Sequence, residues 1–301
     1  MSLLVTGTIG IDTVDTPHGS VKDVLGGSAV YFALAASLLE PVRLVGAVGD
    51  DFPAGFRRIF EKRRIDLAGL ETRAGSKTFR WHGKYLNDIN ERQTLRTDLN
   101  VVSEAPPKIP AAFADSGFVF LANTHPAVQR VFLGQLSAPR LIVCDTMNLW
   151  ISDFRQDLLE TIKRVDGLVL NDGEARMLTG CHDLIQAGRA VLKMGPTFVV
   201  IKKGEHGAML VSPDELFVLP AYPTERVKDP TGAGDSFAGG MMGYLAAANR
   251  FDGRTLKSAM ARGACVASIA IEDFSLEALA RATPADVDTR LRRFCDMLSI
   301  D

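Results

Sequence analysis

Cysteine is scarce and scattered in this chain. The four thiols are Cys144, Cys181, Cys265 and Cys295, and no two have zinc or redox spacing. That argues against a disulfide framework or a cysteine metal site and suits a reducing compartment. Cys144, Cys265 and Cys295 lie in apolar or helical surroundings and read as buried free thiols. Excess charge of either sign is also missing: Lys plus Arg number 34 against 36 Asp plus Glu, a formal charge of −2. Without a basic excess, nucleic acid is not an expected partner, and no charge block suggests a tail. No apolar run reaches membrane-spanning length. The opening MSLLVTGTIGID has neither a basic n-region nor a long apolar h-region. These absences lead us to expect a soluble, cytoplasmic protein with no membrane partner. Internal repeats and low-complexity tracts are absent too.

What is present is enough apolar material for a sizeable core, 47% of 301 residues. Length alone allows two domains or one large α/β unit. Short apolar, β-rich runs at Leu3–Thr6, Val42–Val48, Phe118–Ala122, Leu141–Cys144, Leu168–Leu170 and Thr197–Lys202 alternate with helix-period segments such as Ala29–Leu39 and Pro53–Arg63. Leu158, Leu159, Ile162 and Val165 mark one helix face. That order predicts a mostly parallel sheet covered on both faces, with residues 1–301 as one domain. Phe198–Lys203 and Ala208–Ser212 flank Gly204-Glu-His-Gly207 and predict a hairpin. Thr283-Pro284 predicts a helix N-cap. Residues 76–102 break the rhythm: Lys77–Tyr85 and Arg92–Asn100 alternate polar with apolar residues and predict strands joined by Asn87-Asp88-Ile89-Asn90. With Asp12–Val24 they predict a small β lid or oligomer contact.

Ligands of open parallel sheets collect beyond the carboxyl ends of the strands. Gly7 to Asp12, Asn123, Asp145, Asn171 and Lys202 all fall there, which predicts one crevice. The most concentrated chemistry lies in residues 229–240, DPTGAGDSFAGG, directly before a helical run. Gly232, Ala233 and Gly234 leave the backbone amides of a helix N-terminus open to an anion. Asp235 beside such a cradle is a poor phosphate ligand, because like charges repel. It is well suited to take the proton from a hydroxyl attacking phosphorus. The plainer alternative is that Asp235 only complements the helix dipole. The run is neither a Walker loop nor a dinucleotide fingerprint, since Phe237 stands where the third glycine belongs.

The stretch Asp229-Pro-Thr-Gly-Ala-Gly-Asp235-Ser-Phe resembles the C-terminal signature of the PfkB, or ribokinase-like, carbohydrate and nucleoside kinases. Leu25-Gly26-Gly27-Ser-Ala resembles the family's N-terminal substrate loop, and Val45 to Gly55 the stretch after it. Asn171-Asp-Gly-Glu174 resembles its Asn-x-x-Glu, and Val200 to Gly207 its nucleotide-contacting loop. The likeness spans nearly the whole chain. It implies a ribokinase-like three-layer α/β/α sandwich with a small β lid from about residues 12–25 and 76–102. It also implies transfer of the γ-phosphoryl group of ATP, with Mg²⁺, to a hydroxyl of a sugar or sugar-like acceptor.

Residue by residue, the resemblance implies Asp235 as catalytic base and Gly232, Ala233 and Gly234 as anion hole. Asp12, Gly26 and Gly27 would meet the acceptor; Lys202, Gly204 and Gly207 would meet the nucleotide. Asn171 and Glu174 would hold Mg²⁺ through water. By themselves, Asn171 and Glu174 are equally a capping box, and Asp12 a turn residue. Lys202 and Lys203 should point to opposite faces, so only one reaches a phosphate. Asp229 and Thr231 lie where relatives bind a monovalent cation such as K⁺, with Pro230 in place of the commoner threonine. Asp145-Thr-Met-Asn148 resembles a site-lining Asp-Pro-Asn stretch. Arg80, Arg92 and Arg96 of the lid are either anion contacts or a charged exposed face. A homodimer through the lid is also within what the resemblance implies. Tyr31 stands where ribose-type relatives commonly carry asparagine; its ring suits a nucleobase or plain packing. A ribonucleoside kinase is therefore the nearest rival. A nucleotide sensor without turnover is a rival of another class, and a dehydrogenase is opposed by the missing fingerprint.

Overall fold

Continuous apolar strands need cover on both faces, and amphipathic segments between them supply it. The computed structural model describes residues 2–86 and 92–299. In chain order the strands are β1 (Leu3–Thr6), β2 (Gly10–Thr16), β3 (Gly19–Gly26), β4 (Val42–Gly49), β5 (Ile65–Arg73), β6 (Phe79–Tyr85), β7 (Arg92–Asp98), β8 (Phe118–Leu121), β9 (Leu141–Asp145), β10 (Gly167–Asn171), β11 (Phe198–Lys202), β12 (Ala208–Val211) and β13 (Leu216–Leu219). Among the described residues nine of them form one sheet, in the order β13-β12-β11-β10-β9-β8-β1-β4-β5. Neighbours from β5 to β11 pair in parallel. β12 and β13 turn antiparallel at one edge.

The period of two along each strand divides the core. Leu3, Val5, Phe118, Phe120, Val143 and Val200 face one layer, where they pack with helices Ser28–Ser37, Ala233–Ala248 and Gly253–Ala270. Leu4, Val119, Leu121, Cys144, Leu168 and Ile201 face the other, against helices Pro126–Leu133, Arg155–Ile162, Asp172–Thr179 and Leu184–Leu192. The result is a three-layer α/β/α sandwich.

The second sheet has the order β3-β2-β6-β7. β2 pairs with β3 antiparallel and with β6 in parallel, placing Asp12 opposite Trp81. The polar alternation of residues 76–102 thus corresponds to real strands. The expected joint Asn87–Asn90 lies outside the described residues.

Three features differ from expectation. β5 is an additional edge strand, hidden in the sequence by its charges and Gly69, because one side of an edge faces water. β13 is a further edge strand. Cys295 is exposed rather than buried. It follows the buried Phe294 on helix Pro284–Leu298, and one residue turns the helix by about 100°.

Candidate active site

The carboxyl ends of β9, β10 and β11 bring Asp145, Asn171 and Lys202 to one edge of the large sheet. Helix Ala233–Ala248 begins nearby, with Gly232 as its N-cap in the left-handed region at φ 72°. The ring of Tyr31 occupies the space that a side chain at Gly232 would need. Both conditions require glycine here. No side chain caps this helix. The amides of its first turn lack intrahelical acceptors, so the N-terminus is set up for an anion.

Lys202 reaches that terminus. Its Nζ lies 2.8 Å from the position a Cβ on Gly234 would take. It also lies 3.6 Å from Asp145 Oδ1. Asp235, in the helix's first turn, is half-buried. Burial and then the neighbouring Asp145 push its carboxyl up to about 8, with Lys202 opposing. Asp145 is raised by burial against the pull of Lys202. Burial works against the Lys202 ammonium, but Asp145, Glu174 and Asp235 outweigh it and hold its pKa above the ordinary value. One cation is thus shared by three acids.

Asn171 and Glu174 form a complete capping box. The Asn171 amide donates to Glu174 Oε2 at 2.7 Å, and the Glu174 amide donates to Asn171 Oδ1 at 2.8 Å. Glu174 is 8% exposed. Burial pushes it up to about 7, with Lys202 opposing and Asp145 adding to the rise. The box orients the carboxylate and engages only its Oε2. Among the described residues no group of three or more His, Cys, Asp or Glu side chains forms a metal cage.

On the opposite side of Asp235, the small sheet approaches. Asp12 on β2 is 4% exposed, and its Oδ1 has no hydrogen-bond partner. Burial pushes it up to about 7, opposed by the Gly27 amide and assisted by Asp229. Its carboxylate fills the space beside Gly26 that a side chain would take. Tyr31 is buried with its hydroxyl unpartnered. Asp229 accepts the amides of Thr231 and Ser275, each at 2.9 Å. Ser275 Oγ donates to the Leu25 carbonyl at 2.8 Å, and Thr231 Oγ1 meets the Tyr85 hydroxyl at 3.2 Å. The loop before the helix is therefore tied to the carboxyl ends of β3 and β6.

A cavity of about 390 Å³ opens on the other side of the helix mouth. Lys202, Gly204, Gly207 and Gly234 line one end; Tyr222, Val227, Phe237 and Ile271 line its apolar walls. Gly204 and Gly207 belong to the β11–β12 turn, as the hairpin pattern predicts. A more open hollow of about 430 Å³, lined by Arg226, Arg281, Arg290 and Arg293, contains none of the site residues.

Most of the other sequence candidates are engaged elsewhere. His125, which by sequence could reach a substrate but reads more simply as structural, caps helix Pro126–Leu133 through Nδ1 and packs on Trp150 and Phe154. Arg80 is paired with Asp23 and Asp51, and Arg96 with Asp98. Arg92 lies over the Trp81 ring, 5.3 Å from its centre, but its charge reaches the site and acts on Asp12, Glu174 and Asp235. Tyr85 and Ser275 were not legible as site neighbours, since each reaches the loop across a long sequence separation.

The family model for the pfkB family of carbohydrate kinases matches residues 4–281. A cytidine kinase of Thermococcus kodakarensis is 32% identical over 252 residues, covering 81% of this chain and 88% of that protein. A nucleoside kinase of Methanothermobacter thermautotrophicus is 28% identical over 274 residues, covering 88% of this chain and 85% of that protein. The crystal structure of aminoimidazole riboside kinase from Salmonella enterica, with aminoimidazole riboside and an ATP analog, superposes with a TM-score of 0.77. It is 19% identical and covers 97% of this chain and 100% of that one.

Proposed function

From the premise that this chain belongs to the pfkB family of carbohydrate kinases, phosphotransferases with an alcohol group as acceptor, we propose that its acceptor is a ribonucleoside and that Asp235 is its general base. The observation that carries the chemistry is the acid in the first turn of an uncapped helix whose mouth also holds Lys202. The nucleotide occupies the 390 Å³ cavity with its phosphates toward Gly232, Ala233 and Gly234. The acceptor lies between Asp12 and Asp235, where the unpartnered Oδ1 of Asp12 and the Gly26-Gly27 backbone take its hydroxyls. A ribonucleoside is favoured over a free sugar by the 32% identity of the cytidine kinase, against 29% for a fructokinase of Klebsiella pneumoniae that covers the same 81% of this chain. The buried Tyr31, which supports Gly232, replaces the asparagine common in ribose-type relatives.

Asp235 takes the proton of the attacking hydroxyl, and the first-turn amides stabilise charge on the transferring group. Asn171 and Glu174 fit a metal reached through water, because the cap orients the carboxylate and engages only one of its oxygens. A bound Mg²⁺ would offset phosphate charge there. Asp229 and Thr231 shape the loop through their amide and hydroxyl contacts, and stand in this scheme beside a monovalent cation such as K⁺. The small sheet serves as the lid, excluding water from the transfer.

ADP release from Mg-ATP across cytidine, adenosine, other nucleosides, free sugars and sugar acids tests the proposal. Nucleoside-stimulated release that falls on the order of 10²–10⁴-fold in Asp235→Asn is the expected outcome. A free sugar as the best acceptor would overturn the acceptor assignment; near-parent turnover by Asp235→Asn would overturn the base.

A further inference from the structure

We infer that Lys202 is a catalytic cation that touches the transferring phosphoryl group, and that Asp145 positions it. The inference rests on the phosphotransfer proposed above and assigns a second chemical group to it.

Lys202 occupies the passage between the donor cavity and Asp235. It lines that cavity, and its Nζ lies beside Gly234 at the helix mouth, 2.8 Å from where a Cβ would stand. The positive end of the helix dipole opposes an ammonium here, and Asp145, Glu174 and Asp235 together keep it charged. Its side chain is 17% exposed, so water offers only limited relief. Among the described residues the ion pair recorded for it is with Asp145, at 3.6 Å, which is beyond hydrogen-bond length. An ammonium has three donors. A purely structural buried pair requires close geometry and satisfied donors to offset desolvation. Here the cation is held near an anion cradle without being satisfied. A phosphate entering the cradle would supply the missing acceptors.

Asp145 has the properties of a holder. It ends β9, is 5% exposed, and accepts the Thr146 amide at 3.0 Å. It is therefore fixed to the sheet edge, while Lys202 extends from the end of the next strand but one. In the transfer, the acceptor oxygen bonds to the γ-phosphorus as the bond from that phosphorus to the β,γ-bridging oxygen breaks. The electron pair of the broken bond leaves on ADP, and the acceptor proton passes to Asp235. Lys202 neutralises charge on the equatorial oxygens throughout and exchanges no proton. Lys203, one residue on, lies outside the strand and has no such path.

Lys202→Met, Lys202→Arg, Asp145→Asn and the Lys202→Met/Asp145→Asn double variant test this, with kcat read separately from the Kd for ATP. Loss of one charge stabiliser should lower kcat on the order of 10²–10³-fold in Lys202→Met. The Kd for ATP should change by less than about fivefold, because the cradle and cavity walls remain. Lys202→Arg should recover part of the loss. Asp145→Asn should cost about tenfold alone and nothing further in the Lys202→Met background, since a positioning residue acts through its partner. A Lys202→Met enzyme with parent kcat and weakened ATP binding would reduce Lys202 to a donor contact and overturn the catalytic assignment. Additive losses would overturn the role of Asp145. Should Lys202→Met fail to bind ATP at all, Lys202→Arg and Asp145→Asn decide: parent kcat in both overturns the inference. Asp235→Asn with intact turnover would instead remove the general base and leave Lys202 untouched.

Discussion

Two buried acids and the half-buried Asp235 around one ammonium cannot all be charged at neutral pH without strong repulsion, and this decides how Asp235 behaves. Burial pushes its carboxyl up to about 8, with Asp145 as the next cause. A base works in its deprotonated form. The kcat/KM of the enzyme should therefore rise about tenfold per pH unit on the acid side and level off near pH 8. Asp145→Asn removes one cause of the rise, so its acid limb should move to lower pH. Rate measurements from pH 5.5 to 9.5 check both; a flat profile across that range would exclude Asp235 as the titrating base. At this scale the sequence was partly legible. Asp235, Gly232 and Gly234 stand out because a glycine loop running into a helix has few other uses. Asp145 was legible only as a site-lining residue, because its meaning depends on Lys202, 57 positions later.

Elements carry the next level of control. Helix Ala233–Ala248 starts without a side-chain cap; the Pro230 carbonyl takes the Ala233 amide at 3.1 Å, and the rest of the first turn is left for a ligand. The capping box of Asn171 and Glu174 makes the opposite choice and fixes a carboxylate by closing the helix start around it. Sequence spacing alone suggested both a cap and a metal site; the hydrogen bonds establish the cap, and the Glu174 oxygen that the cap does not engage leaves room for the second role. The small sheet meets the site through Tyr85 and Thr231, and through Leu25, Ser275 and Asp229. Closure of this sheet over a bound acceptor should slow amide exchange in β6 and β7. Hydrogen exchange with Mg-ADP present, with and without saturating nucleoside, checks it. Unchanged exchange on saturation would count against a lid.

For the whole molecule, the site costs stability. Asp12 and Glu174 titrate near 7 and Asp235 near 8 in the folded chain, against ordinary values near 4 when unfolded. Between those values the native state holds more protons. The contribution of these acids is fully present below about pH 4 and is lost as pH rises to about 8. The ligand-free protein should therefore lose Tm between pH 6 and pH 8.5. Asp235→Asn should lose less and melt about 2 °C or more above the parent at pH 8.5. Calorimetry at the two pH values checks this; equal losses in both proteins would refute it. By itself the sequence determined the layers, the parallel order and the glycine-lined helix start. Those follow from local periodicity, glycine placement and the chemistry of adjacent residues, which do not depend on distant partners. Only the tertiary structure decided that Lys202 rather than Lys203 reaches the cradle, that His125 caps a helix, that Cys295 faces water, and that Tyr31 underlies Gly232. Each of these depends on groups far apart in sequence meeting within a few ångströms, where direction, burial and shared charge set the outcome and spacing along the chain carries no information.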